Sequence, residues 1–277
     1  MTIAGKVVAL TGVTAGIGRT LAEVFAERGC SVVGCGRRVD RGRKLEAQIR
    51  SSGATFSYVP ADVSRRDDCR RFIDAVVDEH GRVDVLINNA GGGGRSVPTQ
   101  DLEESEFDEM LRLNLHSALF CSQRAIDHMV QASAGGVILN IASVQGVLAV
   151  ARSASYNVAK AGLIHLTNTL AVEYLDRGIR ANVIVMGGAP TAASAQAVRE
   201  LTKAVKGPDA EPDFSQHLPR PISGTPLRDV ATALVALADD DARAITGAVI
   251  ALDQAQTAGS LYSEAVFHAL SGGWSAQ

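Results

Sequence analysis

The chain has 277 residues, 46% apolar and 21% charged, an ordinary globular composition that excludes bulk disorder. A formal net charge of −3 and a pI near 6.1 argue against a dedicated nucleic-acid binder. Twenty-seven glycines against 4% aromatics point to layered α/β packing with close backbone approaches, not to an aromatic-rich sandwich. No apolar run approaches the roughly 18 residues of a membrane span, and no signal peptide is visible after Met1. Cys30, Cys35, Cys69 and Cys121 form neither a CxxC pair nor a disulfide framework, and the six histidines make no metal-ligand spacing. The expectation is a reduced, cytoplasmic, metal-free protein.

In chain order, Lys6–Leu10 is a short β-rich apolar run, and Leu21–Arg28 reads as a helix stopped by Gly29. A second strand over Ser31–Gly36 leads to a helix over Arg41–Ser51, then a strand over Thr55–Pro60. The amphipathic stretch Asp67–His80 predicts a helix ended by Gly81, followed by a strand over Val83–Ile87. Glu103–Ser133 contains a long helix, Gly136–Ile141 a fifth strand, and Ser155–Arg177 another long helix. Ile179–Val185 and Ala248–Leu252 predict strands six and seven. Strands that read as continuous apolar runs, alternating with helices, predict one doubly wound Rossmann-type α/β domain with a seven-stranded parallel sheet and helices on both faces. The segment of about 192–223, rich in proline, breaks this rhythm and reads as a substrate cover, and residues 254–277 as a tail.

Strand one runs into Thr11-Gly12-Val13-Thr14-Ala15-Gly16-Ile17-Gly18 and then into a helix. Gly12 permits a tight turn, Gly16 lets a phosphate approach the backbone, and Gly18 lets helix and strand pack closely. The helix N-terminus supplies unpaired N–H groups for a diphosphate. A triphosphate P-loop is absent, and Val33-Gly34-Cys35-Gly36, which looks like a methyltransferase turn, follows the wrong strand. Strand two ends in Gly36-Arg37-Arg38 where a carboxylate would select a free ribose hydroxyl, so guanidinium groups point to a 2′-phosphate and to NADP(H), with NAD(H) the alternative.

Tyr156 and Lys160 share one face near the start of a helix, a spacing at which an ammonium can stabilise a phenolate. Ser143 ends strand five at the sheet edge that hosts ligands, where its hydroxyl would polarise a carbonyl oxygen.

Taken together, Thr11-Gly12-x-x-x-Gly16-x-Gly18, Asp62-Val63, Asn88-Asn89-Ala90-Gly91, Asn114, Ser143 and Tyr156-x-x-x-Lys160 resemble the short-chain dehydrogenase/reductase superfamily in its compact form, from about residue 4 to 253. The resemblance implies that Tyr156 gives or takes the substrate proton, that Lys160 holds the nicotinamide ribose and lowers the tyrosine pKa, and that Ser143 orients the substrate oxygen. It implies that Asn114 anchors a water of the proton relay. Cofactor contacts are implied for Gly12, Thr14, Gly16, Ile17, Gly18, Arg37, Arg38, Asp62, Val63, Asn89, Ala90, Gly91, Tyr156, Lys160, Gly187 and Thr191. Thr11 and Asn88 read as structural hydrogen-bonders.

Two departures stand out. Met186-Gly187 replaces the usual Pro-Gly, which removes a fixed φ, and Asp253-Gln254-Ala255 replaces Asp-Gly-Gly. Arg95 reads as a solvated loop residue in preference to an anion contact, and His116 as core or subunit interface. The expected activity is hydride transfer between NADP(H) and a carbonyl or secondary alcohol, with an apolar, cyclic or 3-oxoacyl-type ketone as substrate. An NAD-linked alcohol or polyol dehydrogenase and a non-catalytic dinucleotide-binding protein are the alternatives. The expected partner is a small-molecule substrate, without nucleic acid or membrane, and the assembly a homotetramer or homodimer.

Overall fold

The computed structural model describes residues 3–187, 225–255, 257 and 258, together with Arg199 and Gly207. Strands β1 (Val7–Thr11), β2 (Ser31–Gly36) and β3 (Phe56–Pro60) alternate with helices α1 (Gly16–Glu27), α2 (Val39–Ser51) and α3 (Arg66–His80). Next come β4 (Val85–Asn88), α4 (Glu104–Leu111), α5 (Ser117–Gln131), β5 (Gly136–Ser143) and α6 (Ala154–Glu173). The last described elements are β6 (Ile179–Met186), α7 (Leu227–Ala238) and β7 (Val249–Leu252). The strands form a single sheet in the order β3-β2-β1-β4-β5-β6-β7, every pair parallel. The predicted seven-stranded doubly wound sheet is therefore present.

Period-two alternation sends each strand into two cores. Val8 and Leu10 of β1 join Leu21 and Phe25 of α1, Leu45 and Ile49 of α2, and Leu234 of α7 on one face. Val7 and Ala9 join Phe72 and Ile73 of α3, Ile126 of α5 and Leu170 of α6 on the other. With both faces covered, no strand needs a polar side, which is why the alternation was invisible in the sequence.

Two elements depart from the predicted pattern. The single long helix expected within 103–133 is broken by a π turn over Arg112–His116. Asn114 Nδ2 donates to the Met110 carbonyl at 3.2 Å, and Ser117 Oγ to the Leu113 carbonyl at 2.6 Å, so side chains reach the carbonyls around the bulge. Helix α7 was not anticipated, although Leu227, Val230, Ala231, Leu234 and Val235 recur at helical spacing just after Pro226. Its last carbonyls are capped from the sheet, since Arg180 Nη2 donates to Leu237 O at 2.8 Å and Asp239 O at 3.2 Å. Among the described residues no helix is long and apolar enough to cross a membrane.

Candidate active site

The chain lays down β1, β2 and β3 in one direction and then crosses back to place β4 on the other side of β1. That reversal opens a crevice at the carboxyl ends of β1 and β4, the place where such sheets take ligands. The glycine turn forms one wall. Gly12 has φ +77°, and a Cβ there would lie 2.9 Å from Ala90 Cα. A Cβ at Gly18 would lie 2.2 Å from the Gly12 carbonyl oxygen. Helix α1 begins with no side-chain cap at Ala15 and no acidic residue in its first turn, so its leading N–H groups, around Gly16, Ile17 and Gly18, have no carboxylate competing for them. These features fit a dinucleotide diphosphate.

Thr11 and Asn89 hold the turn against β4. Thr11 Oγ1 accepts from Asn89 N at 3.0 Å and Ala90 N at 2.9 Å, while Asn89 Nδ2 donates to the Thr11 carbonyl at 2.9 Å. Asn88 Nδ2 donates to Asn140 Oδ1 at 2.8 Å, and Asn140 Nδ2 to Thr167 Oγ1 at 2.9 Å, inside the protein. Thr11 and Asn88 are thus structural. Asn89 is engaged in the same way, through both its backbone N–H and its side-chain Nδ2.

At the end of β2 an open hollow is lined by Gly36, Arg37, Pro60, Ala61, Asp62 and Asp68. Arg38 is drawn to the glycine turn, its Nε donating to Thr14 Oγ1 at 3.0 Å. Asp62 is held in a local turn, with Oδ1 accepting from Ser64 N and Oγ. The Val63 side chain is buried in the core beneath, so any contact it offers an adenine comes from its backbone.

On the other side of the crevice lie the acid–base candidates. Ser143 closes β5, and its Oγ accepts from Gln145 N at 3.2 Å, which leaves the hydroxyl hydrogen free to donate. Burial pushes the Tyr156 phenol pKa up, and the hydrogen bond with Ser143 pulls it back in part. Lys160 Nζ stands 5.6 Å from the Tyr156 ring centre and donates to the Ile141 carbonyl at 2.8 Å. Asn114 Nδ2 donates to Gly92 O at 3.0 Å, and its Oδ1 accepts from Gly92 N at 3.1 Å. A Cβ at Gly91 would lie 2.6 Å from Asn114 Oδ1 and 3.3 Å from Lys160 Nζ, so this glycine lets the two approach. Ser143, Tyr156, Lys160 and Asn114 therefore converge. The role of the Ile141 carbonyl was not legible, because a backbone group leaves no residue signature.

The phenol differs from the expectation: its pKa is raised, with burial as the larger cause. The lysine is itself shifted, since burial brings Lys160 down to about 8. An unfolded lysine titrates near about 10.4. Above pH about 8 the unfolded chain therefore holds more protons than the native one, and stability rises with pH; below 8 the cost of burying the charge is fully present. Buried thiols at Cys30, Cys35 and Cys121 and the raised Tyr156 act in the opposite sense as they titrate in the unfolded chain. The difference between wild type and Lys160→Met isolates the lysine. Between pH about 8 and 9 the wild type should gain on the variant by ~1 kcal/mol per pH unit in urea unfolding. A flat difference would mean that Lys160 is not buried as a charge.

Met186 is 5% exposed and belongs to the same buried core as Ile141 and Val230. Gly187 follows it, and a Cβ there would meet Asp253 Cα at 2.7 Å. Asp253 Oδ2 accepts from Thr257 N and Oγ1 at 2.7 and 2.6 Å. Gln254 and Ala255 have φ of 53° and 65°, so the chain keeps a glycine-like path without glycine. Thr191, nearly all of the 192–223 segment and the end of the tail lie outside the described residues. Among the described residues no group of three or more His, Cys, Asp or Glu side chains forms a metal site.

A family model described as short chain dehydrogenase matches residues 6–202. A 3beta-hydroxysteroid dehydrogenase 1 from Eggerthella lenta is 34% identical over 91% of this chain and 94% of its own. A cis-4-hydroxycyclohexanecarboxylate dehydrogenase from Sinomonas cyclohexanicum is 33% identical over 92% of this chain and 98% of its own. Among solved structures, levodione reductase superposes with a TM-score of 0.84 at 28% identity, covering 93% of this chain and 99% of its own. With the glycine turn at the β1/β4 crevice and Tyr156 beside Ser143 and Lys160, these matches place the chain in the short-chain dehydrogenase family.

Proposed function

We propose that this short-chain oxidoreductase uses NADP(H) to reduce an apolar, cyclic ketone. The family acts on hydroxyl and carbonyl groups with a nicotinamide dinucleotide. The observation that carries the reading is the convergence of Ser143, Tyr156 and Lys160 beside the glycine turn. The names of two relatives, a hydroxysteroid dehydrogenase and a hydroxycyclohexanecarboxylate dehydrogenase, put the reacting hydroxyl on a ring. Exposed Val147 and Leu148, on the loop after Ser143, supply apolar surface near the site.

When bound, the nicotinamide exchanges a hydride with the substrate carbon. Gly12, Gly16, Ile17 and Gly18 would hold the diphosphate, and Lys160 the ribose on the nicotinamide side. Ser143 donates a hydrogen bond to the substrate oxygen, and Tyr156 carries the proton that oxygen receives. A phenol raised by burial is protonated at neutral pH, which suits the reductive direction. Asn114, held by Gly92 and Met110 in its π turn, would position water behind Lys160. The cytoplasm suits its four free, buried thiols. Exposed Val158 and Val172 on α6 suit association into a dimer or tetramer.

For NADP(H) the support is the exposed Arg37 at the hollow after β2, with Arg38 beside it. A panel of cyclic ketones and alcohols followed by dinucleotide absorbance tests the substrate class. Arg37→Asp should lower kcat/KM for NADPH by about tenfold or more and raise that for NADH, as a carboxylate repels a 2′-phosphate. A wild type that already prefers NADH would defeat the arginine argument.

A further inference from the structure

Gly34 and Gly36 follow Val32 at a period of two, on the face of β2 that belongs to the α1/α2 core. Without side chains there, β2 leaves its last two positions on that face open. The glycine turn and β3 close over them. A Cβ at Gly34 would meet Val13 Cγ1 at 2.6 Å, and one at Gly36 would meet Thr14 Cγ2 at 3.0 Å and Tyr58 Oη at 3.7 Å. Tyr58 pairs with Gly34 in the sheet and is 3% exposed. Its hydroxyl donates to the Gly36 carbonyl at 2.6 Å. Helix α2 is shaped around the ring. A Cβ at Gly42 would lie 2.2 Å from two Tyr58 ring carbons, Arg43 stands 5.8 Å from the ring centre, and Glu46 Oε1 accepts from Tyr58 N at 3.3 Å. Burial raises the phenol pKa, so the group stays a donor at neutral pH.

The Gly36 carbonyl belongs to the peptide that leads into Arg37. It also accepts from Ala61 N at 3.1 Å, so two donors fix that peptide plane. Arg37 then lines the hollow with Gly36, Pro60, Ala61 and Asp62. Arg38 is anchored one residue further on, by Thr14. A guanidinium holds a phosphate through paired, directional hydrogen bonds, and a small rotation of the chain that carries it spoils both. A ribose hydroxyl makes a weaker, neutral contact and loses less by the same rotation. We propose that Tyr58 is a positioning residue for the 2′-phosphate of the dinucleotide, acting by orienting Arg37 and Arg38 from beneath. This inference rests on the NADP(H) reading above. It adds that the selecting arginines are placed by a neutral, buried hydroxyl that does not itself line the hollow.

The test is fluorescence and competition titration of the full chain with NADPH, NADH, adenosine 2′,5′-bisphosphate and AMP, which needs no knowledge of the ketone. Wild type should bind NADPH over NADH, and the bisphosphate over AMP, by at least about tenfold each. Tyr58→Phe keeps the ring in its seat and leaves Ala61 N on the Gly36 carbonyl, so the fold is retained. It should weaken NADPH and the bisphosphate by about fivefold, with NADH and AMP within about twofold. In an Arg37→Ala/Arg38→Ala background, adding Tyr58→Phe should change NADPH binding by less than about 1.5-fold, because the hydroxyl acts through the arginines. Equal weakening of NADPH and NADH would make the hydroxyl a packing element only and overturn the role of Tyr58. Unchanged NADPH binding in Tyr58→Phe, or a fivefold loss that persists without the arginines, also overturns it; all three outcomes leave the NADP(H) reading standing. A wild type without preference for the 2′-phosphate overturns the NADP(H) reading, and this inference with it.

Discussion

Tyr156→Phe is expected to lower kcat by at least about 10³-fold while the dissociation constant for the dinucleotide stays within about threefold. The substitution removes one hydroxyl and keeps the ring, so the packing around the phenol and the helix α6 that carries it is preserved. What disappears is the proton donor hydrogen-bonded to Ser143. Lys160 keeps its own anchor on the Ile141 carbonyl, so its contribution to the ribose side persists. Single-turnover absorbance and fluorescence titration of the dinucleotide separate the two effects. Lost binding with retained chemistry would remove Tyr156 from the acid–base role.

The second large effect is expected from Gly18→Ala. Its Cβ would fall 2.2 Å from the Gly12 carbonyl oxygen and 2.4 Å from Asn89 Nδ2. Neither neighbour can yield freely, because Asn89 Nδ2 already bridges the Thr11 and Gly12 carbonyls at 2.9 and 3.3 Å. Helix α1 must then move away from β1, which costs about 1–3 kcal/mol in packing and misplaces the N–H groups that face the diphosphate. A melting temperature lower by about 5 °C and dinucleotide affinity weaker by about 100-fold are expected. Gly93→Ala is the control, since a Cβ there meets nothing within 4 Å. An unshifted melting temperature and unchanged affinity in Gly18→Ala would show that the turn tolerates a wider separation.

Much of the architecture was legible because it is written in local patterns. Unbroken apolar runs such as Val7–Leu10, separated by helices with stop signals at Gly29 and Gly81, point to a parallel sheet covered on both faces. Helix α7 was equally periodic but followed a proline-rich stretch, and the break in rhythm hid it. The π turn around Asn114 had no local signature at all. It depends on Asn114 reaching Gly92 across the crevice, a contact between residues 22 apart. At Gln254 and Ala255 non-glycine residues hold positive φ, a conformation their residue types did not announce.

The glycine excess noted from composition alone was a statement about close approach, and the order of Gly12, Gly16, Gly18, Ser143, Tyr156 and Lys160 along the chain was enough to determine the doubly wound class and the acid–base candidates. Sequence spacing could do this because helix and strand periods are fixed by backbone geometry. Tertiary structure alone decided the electrostatics. Burial raises Tyr156, lowers Lys160 and gives that lysine a carbonyl partner on β5. Desolvation and long-range hydrogen bonds depend on what the fold packs around a group, and no spacing between neighbours encodes that.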